Sequence, residues 1–132
     1  MSSSQTSQLI TEQARHIAAQ YIAVWGELDA TRRRTLISAT FTPDVEYADP
    51  MMHSASHDGM DKMIEAVHAQ FPGFRFQLHG TPDGHNNVVR FSWKLGAEGA
   101  APVAYGTDIA TVSEDGRINK VIGFLDVMAI PD

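Results

Sequence analysis

The feature that most constrains this chain is a change of hydrophobic period at Pro72-Gly73. Before it, apolar residues recur at three- and four-residue steps, the mark of amphipathic helices; after it, they alternate one by one, the mark of half-buried strands. Ile10, Ala14, Ile17, Ala18, Tyr21, Trp25 and Leu28 form one stripe. They predict a first helix over about 7–25, which Gly26 stops. Asp29 is placed to cap a second helix through Thr40, with Leu36, Ile37 and Phe41 facing in. Asp58 is placed to cap a third, whose buried stripe is Met60, Met63, Ile64, Val67 and Phe71. Downstream, Phe74, Phe76 and Leu78 give one strand, and Val89, Phe91, Trp93 and Leu95 a second. Residues 103–112 and 117–127 give two more. Pro82-Asp83-Gly84, the 96–102 stretch and Glu114-Asp115-Gly116 read as the connections.

One strand precedes the third helix. In Thr42-Pro43-Asp44-Val45-Glu46-Tyr47-Ala48-Asp49-Pro50, Val45 and Tyr47 alternate with Glu46 and Ala48. Pro50 has no N–H to continue a ladder, so Asp49 falls at the strand's end. A lone Asp before Pro is commonly a turn former.

Three helices and one early strand, then a meander, make an α+β layout in a single domain spanning 1–132. The expected sheet is mostly antiparallel and curled, with the helices covering one face. That shape encloses a conical hollow suited to a small molecule. Residues 1–6 read as a frayed polar tail without the apolar core of a signal peptide. A cytoplasmic location is the expectation. No apolar run has the length of a membrane span. The net charge of −6 disfavours nucleic acid and anionic membrane as partners. The Arg32-Arg33-Arg34 run is assigned to a solvated helix face. There is no cysteine, which excludes disulfides, thiolate catalysis and Cys-ligated zinc.

Several side chains stand out. Asp108 sits mid-strand with Ala110 and Val112 on its parity, where an unpaired carboxylate is costly. Asp126, on the adjacent strand, is an alternative, since parity does not fix its face. Trp25, Tyr47, Met52, Met63, Phe91, Trp93 and Phe124 are candidates for the core or the pocket wall. His53 and His57, four apart near Asp49 and Asp58, lie in a polar stretch read as a mobile loop that gates the pocket; it offers a metal no rigid presentation, so no metal and no cofactor is expected. The outward parity of Arg90, Ser92 and Lys94 leaves a broad sheet face, which predicts a homodimer.

The order of elements resembles the nuclear transport factor 2-like (cystatin-like) superfamily, in its SnoaL-like polyketide cyclase and ketosteroid isomerase branch. Residues 19–25 look like the first-helix segment carrying the isomerase's tyrosine, and 41–50 like the segment carrying its catalytic base. Residues 104–108 look like the strand with its second, protonated carboxyl group. Asp58-Gly59-Met60, Asp115-Gly116-Arg117-Ile118 and Gly123-Phe124-Leu125-Asp126 are similar to SnoaL-like segments. Gly106 stands where the related epoxide hydrolases carry an arginine, which disfavours epoxide opening.

The resemblance implies that Tyr21, Asp49 and Asp108 converge on one hollow. By that analogy Asp49 takes a proton from carbon beside a carbonyl, while a neutral Asp108 and Tyr21 donate hydrogen bonds to the enolate oxygen. Ketosteroid isomerase is the standard case of that division between carboxyl groups. The implied function is cofactor-free isomerisation, aldol cyclisation or dehydration of a small apolar carbonyl compound. The rival is a non-catalytic ligand-binding or dimerisation module of the same fold.

Overall fold

The computed structural model describes residues 3–128, with side chains over 11–126. Helix α1 spans Ser3–Gly26, longer at its start than the stripe predicts; the rest of the expected 1–6 tail lies outside the described residues. Ala14, Ala18, Tyr21, Val24 and Trp25 form its buried face. Helix α2, Ala30–Thr40, is capped by Asp29, whose carboxylate accepts from Arg32 N at 2.9 Å. Strand β1 (Phe41–Ala48) follows directly, then a short β2 (His53–Ala55) and helix α3 (Ser56–Gln70). Strands β3 (Phe74–His85), β4 (Val88–Ala97), β5 (Ala104–Val112) and β6 (Ile118–Met128) complete the chain.

The strands make one six-stranded, curled, unclosed sheet in the order β2-β1-β6-β5-β4-β3. Every pairing is antiparallel except β1 with β6, which run parallel. That pairing brings the end of β1 beside the middle of the last strand. α1 lies on β3 and β4, and α3 on β1 and β2. The three helices cover the inner face, and the core fills the space between.

Four sequence expectations need correction. The 51–57 stretch is not an irregular loop: residues 53–55 pair with β1, and His57 lies in the first turn of α3 with Nε2 2.8 Å from the Phe41 carbonyl oxygen. Asp58 does not cap α3. Ser56, in the left-handed region at φ 72°, accepts from Gly59 N at 3.1 Å, and Asp58 instead pairs with Lys62. Pro82-Asp83-Gly84 is not the turn. β3 passes through it after a register shift between His79 and Asp83, and the chain reverses at Asn86-Asn87, with Asn86 at φ 52°. Asn tolerates that region better than most residues because its short amide can bond locally. Finally, Arg33 is buried. Its Nε donates to Asp61 Oδ1 at 2.7 Å, so one arginine of the run clamps α2 to α3.

Candidate active site

The site is built on a row of residues that crosses four strands. Phe91 on β4 pairs with Asp108 on β5, and Asp108 pairs with Gly123 on β6. On the other side of β6, Ala48 pairs with Ile122, so Asp49, one residue on, comes to rest beside Gly123. The glycine is what lets the two carboxylates approach. A Cβ at position 123 would lie 2.8 Å from Asp108 Oδ1 and 3.2 Å from the Asp49 Cβ. Any side chain there would push into Asp108.

Helix α1 closes over this row with Tyr21 and, one turn later, Trp25. Tyr21 packs on Phe91 at 4.9 Å between ring centroids, and Trp25 on Phe76 at 5.3 Å. Phe76 in turn meets Trp93 edge-on at 5.3 Å. Such aromatic pairs fix one another's orientation. The Tyr21 hydroxyl lies close enough to the Asp108 carboxyl and to the Tyr47 hydroxyl for the three groups to bear on one another's pKa values. Trp93 Nε1 donates to Asp108 Oδ1 at 3.2 Å.

Asp49 is held differently. Tyr47 donates its hydroxyl to Oδ2 at 2.5 Å, and the backbone N–H groups of Met51 and Met52 donate to Oδ1 at 2.8 Å each. Asp49 N returns a bond to the Met52 carbonyl at 2.9 Å. The turn-forming role expected of an Asp before Pro is therefore filled. With three donors, few of the carboxylate's roughly four acceptor positions remain.

Electrostatics separate Asp108 from the rest. It is 2 % exposed, and burial raises its pKa to about 6. The hydrogen bonds from Tyr21 and Trp93 oppose that rise, and the charges of Asp49 and Asp126 add to it. Burial, then the nearby Asp108 charge, pushes both Tyr21 and Tyr47 above the usual phenol range, so both remain neutral hydroxyls. The Trp25 indole N–H is buried and completes no hydrogen bond, although it lies near enough to the Tyr21 hydroxyl to oppose the rise in its pKa.

Above these groups a cavity of ≈ 80 Å³ remains. Tyr21, Trp25, Tyr47, Asp49, Trp93 and Asp108 line it, with Met51 and Met52 at the β1–β2 turn. The rest of the wall is mostly apolar, including Ile22, Val67, Phe71, Phe76, Leu95 and Leu125. No cation lines it among the described residues.

Three expected wall residues do not reach the cavity. Met63 and Phe91 are core, Phe91 lying beneath Tyr21 at 1 % exposure. Phe124 is 53 % exposed on the outer face, because Gly123 and Leu125 take the inward parity of β6. Asp126 shares that outward parity and accepts from Thr107 Oγ1 at 2.6 Å, so of these two carboxyls it is Asp108 that lines the pocket. Phe76 and Leu95 were legible from alternation with Arg75, Gln77 and Lys94. No sequence signal marked Gly123 as the gap between two carboxylates. His53 is exposed, and no group of three or more metal-ligating side chains occurs among the described residues.

A family model for the SnoaL-like domain matches residues 18–121. The chain belongs to the SnoaL-like family. A solved SnoaL-like protein from Agrobacterium tumefaciens, named as a candidate isomerase, is 45% identical over 87% of this chain and 98% of its own, with a TM-score of 0.84. A candidate SnoaL-like polyketide cyclase from Jannaschia superposes at TM-score 0.70 with 14% identity, over 93% of this chain and 96% of its own. A nuclear transport factor 2-like protein of unknown function from Cytophaga hutchinsonii gives 0.63 at 13% identity, over 86% and 89%. These last two share the fold. No curated protein matches the chain. No described helix is long and apolar enough to cross a membrane.

Proposed function

We propose that this SnoaL-like protein is an acid/base enzyme acting on a small, mostly apolar carbonyl compound, and that Asp108 is the group that moves the proton. The observation that carries the reading is a buried carboxyl in an apolar pocket, with its pKa drawn to about 6 by its surroundings. A general base works best when its pKa lies near the working pH. Trp93 Nε1 donates to the carboxylate, and the neutral Tyr21 hydroxyl favours its charged form.

The family resemblance implies Asp49 as the base and Asp108 as a neutral donor. The hydrogen bonds favour the reverse. Asp49 spends three acceptor positions on Tyr47, Met51 and Met52. Burial raises the pKa of Asp108. In this assignment Asp108 takes a proton from the carbon beside the carbonyl. Isomerisation, aldol cyclisation and dehydration all begin with that step.

Incubating the protein in D₂O with a panel of small enolisable ketones tests this. Deuterium should enter the α-carbon faster than in buffer, as read by NMR. Ketones that bind without exchanging would favour the alternative, a ligand-binding module of the same fold.

A further inference from the structure

The cavity wall combines two features that favour the same sign of charge in a ligand. One is aromatic: Tyr21, Trp25, Tyr47, Phe71, Phe76 and Trp93 all line it. Trp25 meets Tyr47 at 6.0 Å between ring centroids and Phe76 at 5.3 Å, and Phe76 meets Trp93 at 5.3 Å. The ring planes along this run are inclined to one another by 49°, 60° and 74°, so the rings do not stack into a flat slab and their faces turn different ways. The face of an aromatic ring is its negative side and attracts cations. The other feature is acidic. Asp49 and Asp108 both line the cavity, brought together across Gly123. Among the described residues no Lys, Arg or His lines it.

We propose that the ligand of this pocket carries a compact positive charge: a small carbonyl compound with a methylated ammonium group beside the carbonyl. The carbonyl half rests on the acid/base reading above; the positive charge rests on the pocket alone. Methylation follows from the shortage of acceptors. Asp49 already accepts from Tyr47, Met51 and Met52, and Asp108 from Trp93. A bare ammonium brings three N–H donors, and leaving any of them unpaired in an apolar pocket is costly. A trimethylammonium group has none, and its apolar methyl surface suits the aromatic wall. The size also fits. At ~10–15 Å³ per water-sized group, the ≈ 80 Å³ cavity takes such a head group and a short carbonyl arm.

A substrate cation also answers a need of the chemistry. Removing a proton beside a carbonyl leaves negative charge on the substrate, in a cavity whose wall already carries carboxylates. Burial first, and with it the charge of Asp49, holds the Asp108 carboxyl above its ordinary range. A positive charge on the substrate, next to the carbonyl, offsets the enolate as it forms and eases the repulsion between the two carboxylates.

A matched pair of ketones tests the charge alone: trimethylammonio-acetone, and methyl neopentyl ketone, in which carbon replaces the nitrogen. The chain has two tryptophans, Trp25 and Trp93, and both line the cavity. Their indole N–H signals in a nitrogen-15 NMR titration therefore report occupancy. At pH 7 the cationic ketone should move both signals and bind at least about tenfold tighter than its neutral twin, the factor of one desolvated cation–π contact. In Asp108→Asn that preference should shrink several-fold, through weaker binding of the cation and not of the neutral ketone. Equal or tighter binding of methyl neopentyl ketone overturns the proposal. So does a cation that leaves both indole signals in place, or a preference undiminished in Asp108→Asn, since either puts the charge outside this pocket. α-Deuterium exchange, measured on the same pair against buffer, separates the two readings. Exchange of the neutral ketone without any preference for the cation would sink the charged ligand and leave the acid/base reading standing. A clear preference for the cation with exchange on neither ketone would sustain the ligand class and sink the enzymatic reading.

Discussion

Trp93 lies flat against Gly106, its cross-strand partner on β5, and only there can its indole N–H reach Asp108. A Cβ at position 106 would fall 2.2 Å from Cζ2 of the indole and 2.4 Å from Cε2. The slot that would hold a side chain at 106 is filled by tryptophan.

Gly106→Ala should therefore tilt Trp93 and break its bond to Asp108. Overpacking of this kind costs about 1–3 kcal/mol, which urea denaturation would register. Because that bond lowers the pKa of Asp108, its loss should move the midpoint of any Asp108-dependent activity to higher pH. Unchanged stability and an unchanged pH profile would contradict the packing described.

Asp108 itself should lower the stability of the fold at neutral pH. Its folded pKa, about 6, lies above the ordinary aspartate value of 3.8. For an acid raised on folding, the cost is absent below the unfolded pKa, grows as pH rises between the two values, and is constant above the folded one. Asp108→Asn removes that cost. Its amide can also donate to Tyr21 as a protonated carboxyl would. The variant should gain stability on the order of 3 kcal/mol at pH 7 and almost none near pH 3.5. A gain that is the same at both pH values would show that the carboxyl's charge is not its source.

The Arg33–Asp61 pair behaves in the opposite sense. Both side chains are almost fully buried between α2 and α3, with Arg34 and Glu65 at the rim. Asp61 is raised by burial, but the hydrogen bonds and charges of Arg33 and Arg34 outweigh that and hold its pKa below the usual carboxylate range. Its contribution is therefore present above the unfolded pKa and lost as pH falls through the folded one. Arg33→Met leaves a carboxylate without its main partner and should cost about 3 kcal/mol at pH 7, the lower end for breaking a buried pair. Chemical denaturation at pH 7 and pH 3 would show the penalty shrinking in acid.

The outer sheet face predicts self-association. Phe124 and Ile122 stand out there at 53 % and 41 % exposure, beside Thr107 and Asp126. Light scattering after size exclusion should give a dimer mass at micromolar concentration, and Phe124→Asp should give a monomer. A wild-type monomer would rule the dimer out.

How far the sequence reached can be seen at particular residues. The helices were legible because Tyr21, Trp25, Met60 and Ile64 keep a helical step. Asp108 was legible as an oddity because Gly106 and Ala110 flank it on its own parity. β6 was not: Val121-Ile122-Gly123-Phe124-Leu125 is apolar on both faces, so alternation could not say which way Phe124 and Asp126 point. Nor was the parallel pairing of β1 with β6, which sets Asp49 beside Gly123 and depends on contacts far apart in the chain. Arg33 was hidden within its run, since only α3 supplies Asp61 to bury it against. The backbone donors at Met51 and Met52 that occupy Asp49 are likewise something no residue pattern reveals.

The central claim is that Asp108 moves the proton. The most direct test is the pH dependence of α-deuterium exchange on a responsive ketone, compared among wild type, Asp108→Asn and Asp49→Asn. Wild-type exchange should rise through a midpoint at about pH 6, the value at which Asp108 loses its proton, and then level off. Asp108→Asn should lose about 10²–10⁴-fold of the rate, as expected for removal of a general base, and should lose the midpoint with it. Asp49→Asn should retain more of the rate and keep a midpoint, displaced to lower pH. Exchange that survives in Asp108→Asn and vanishes in Asp49→Asn would contradict the account and return the base to Asp49.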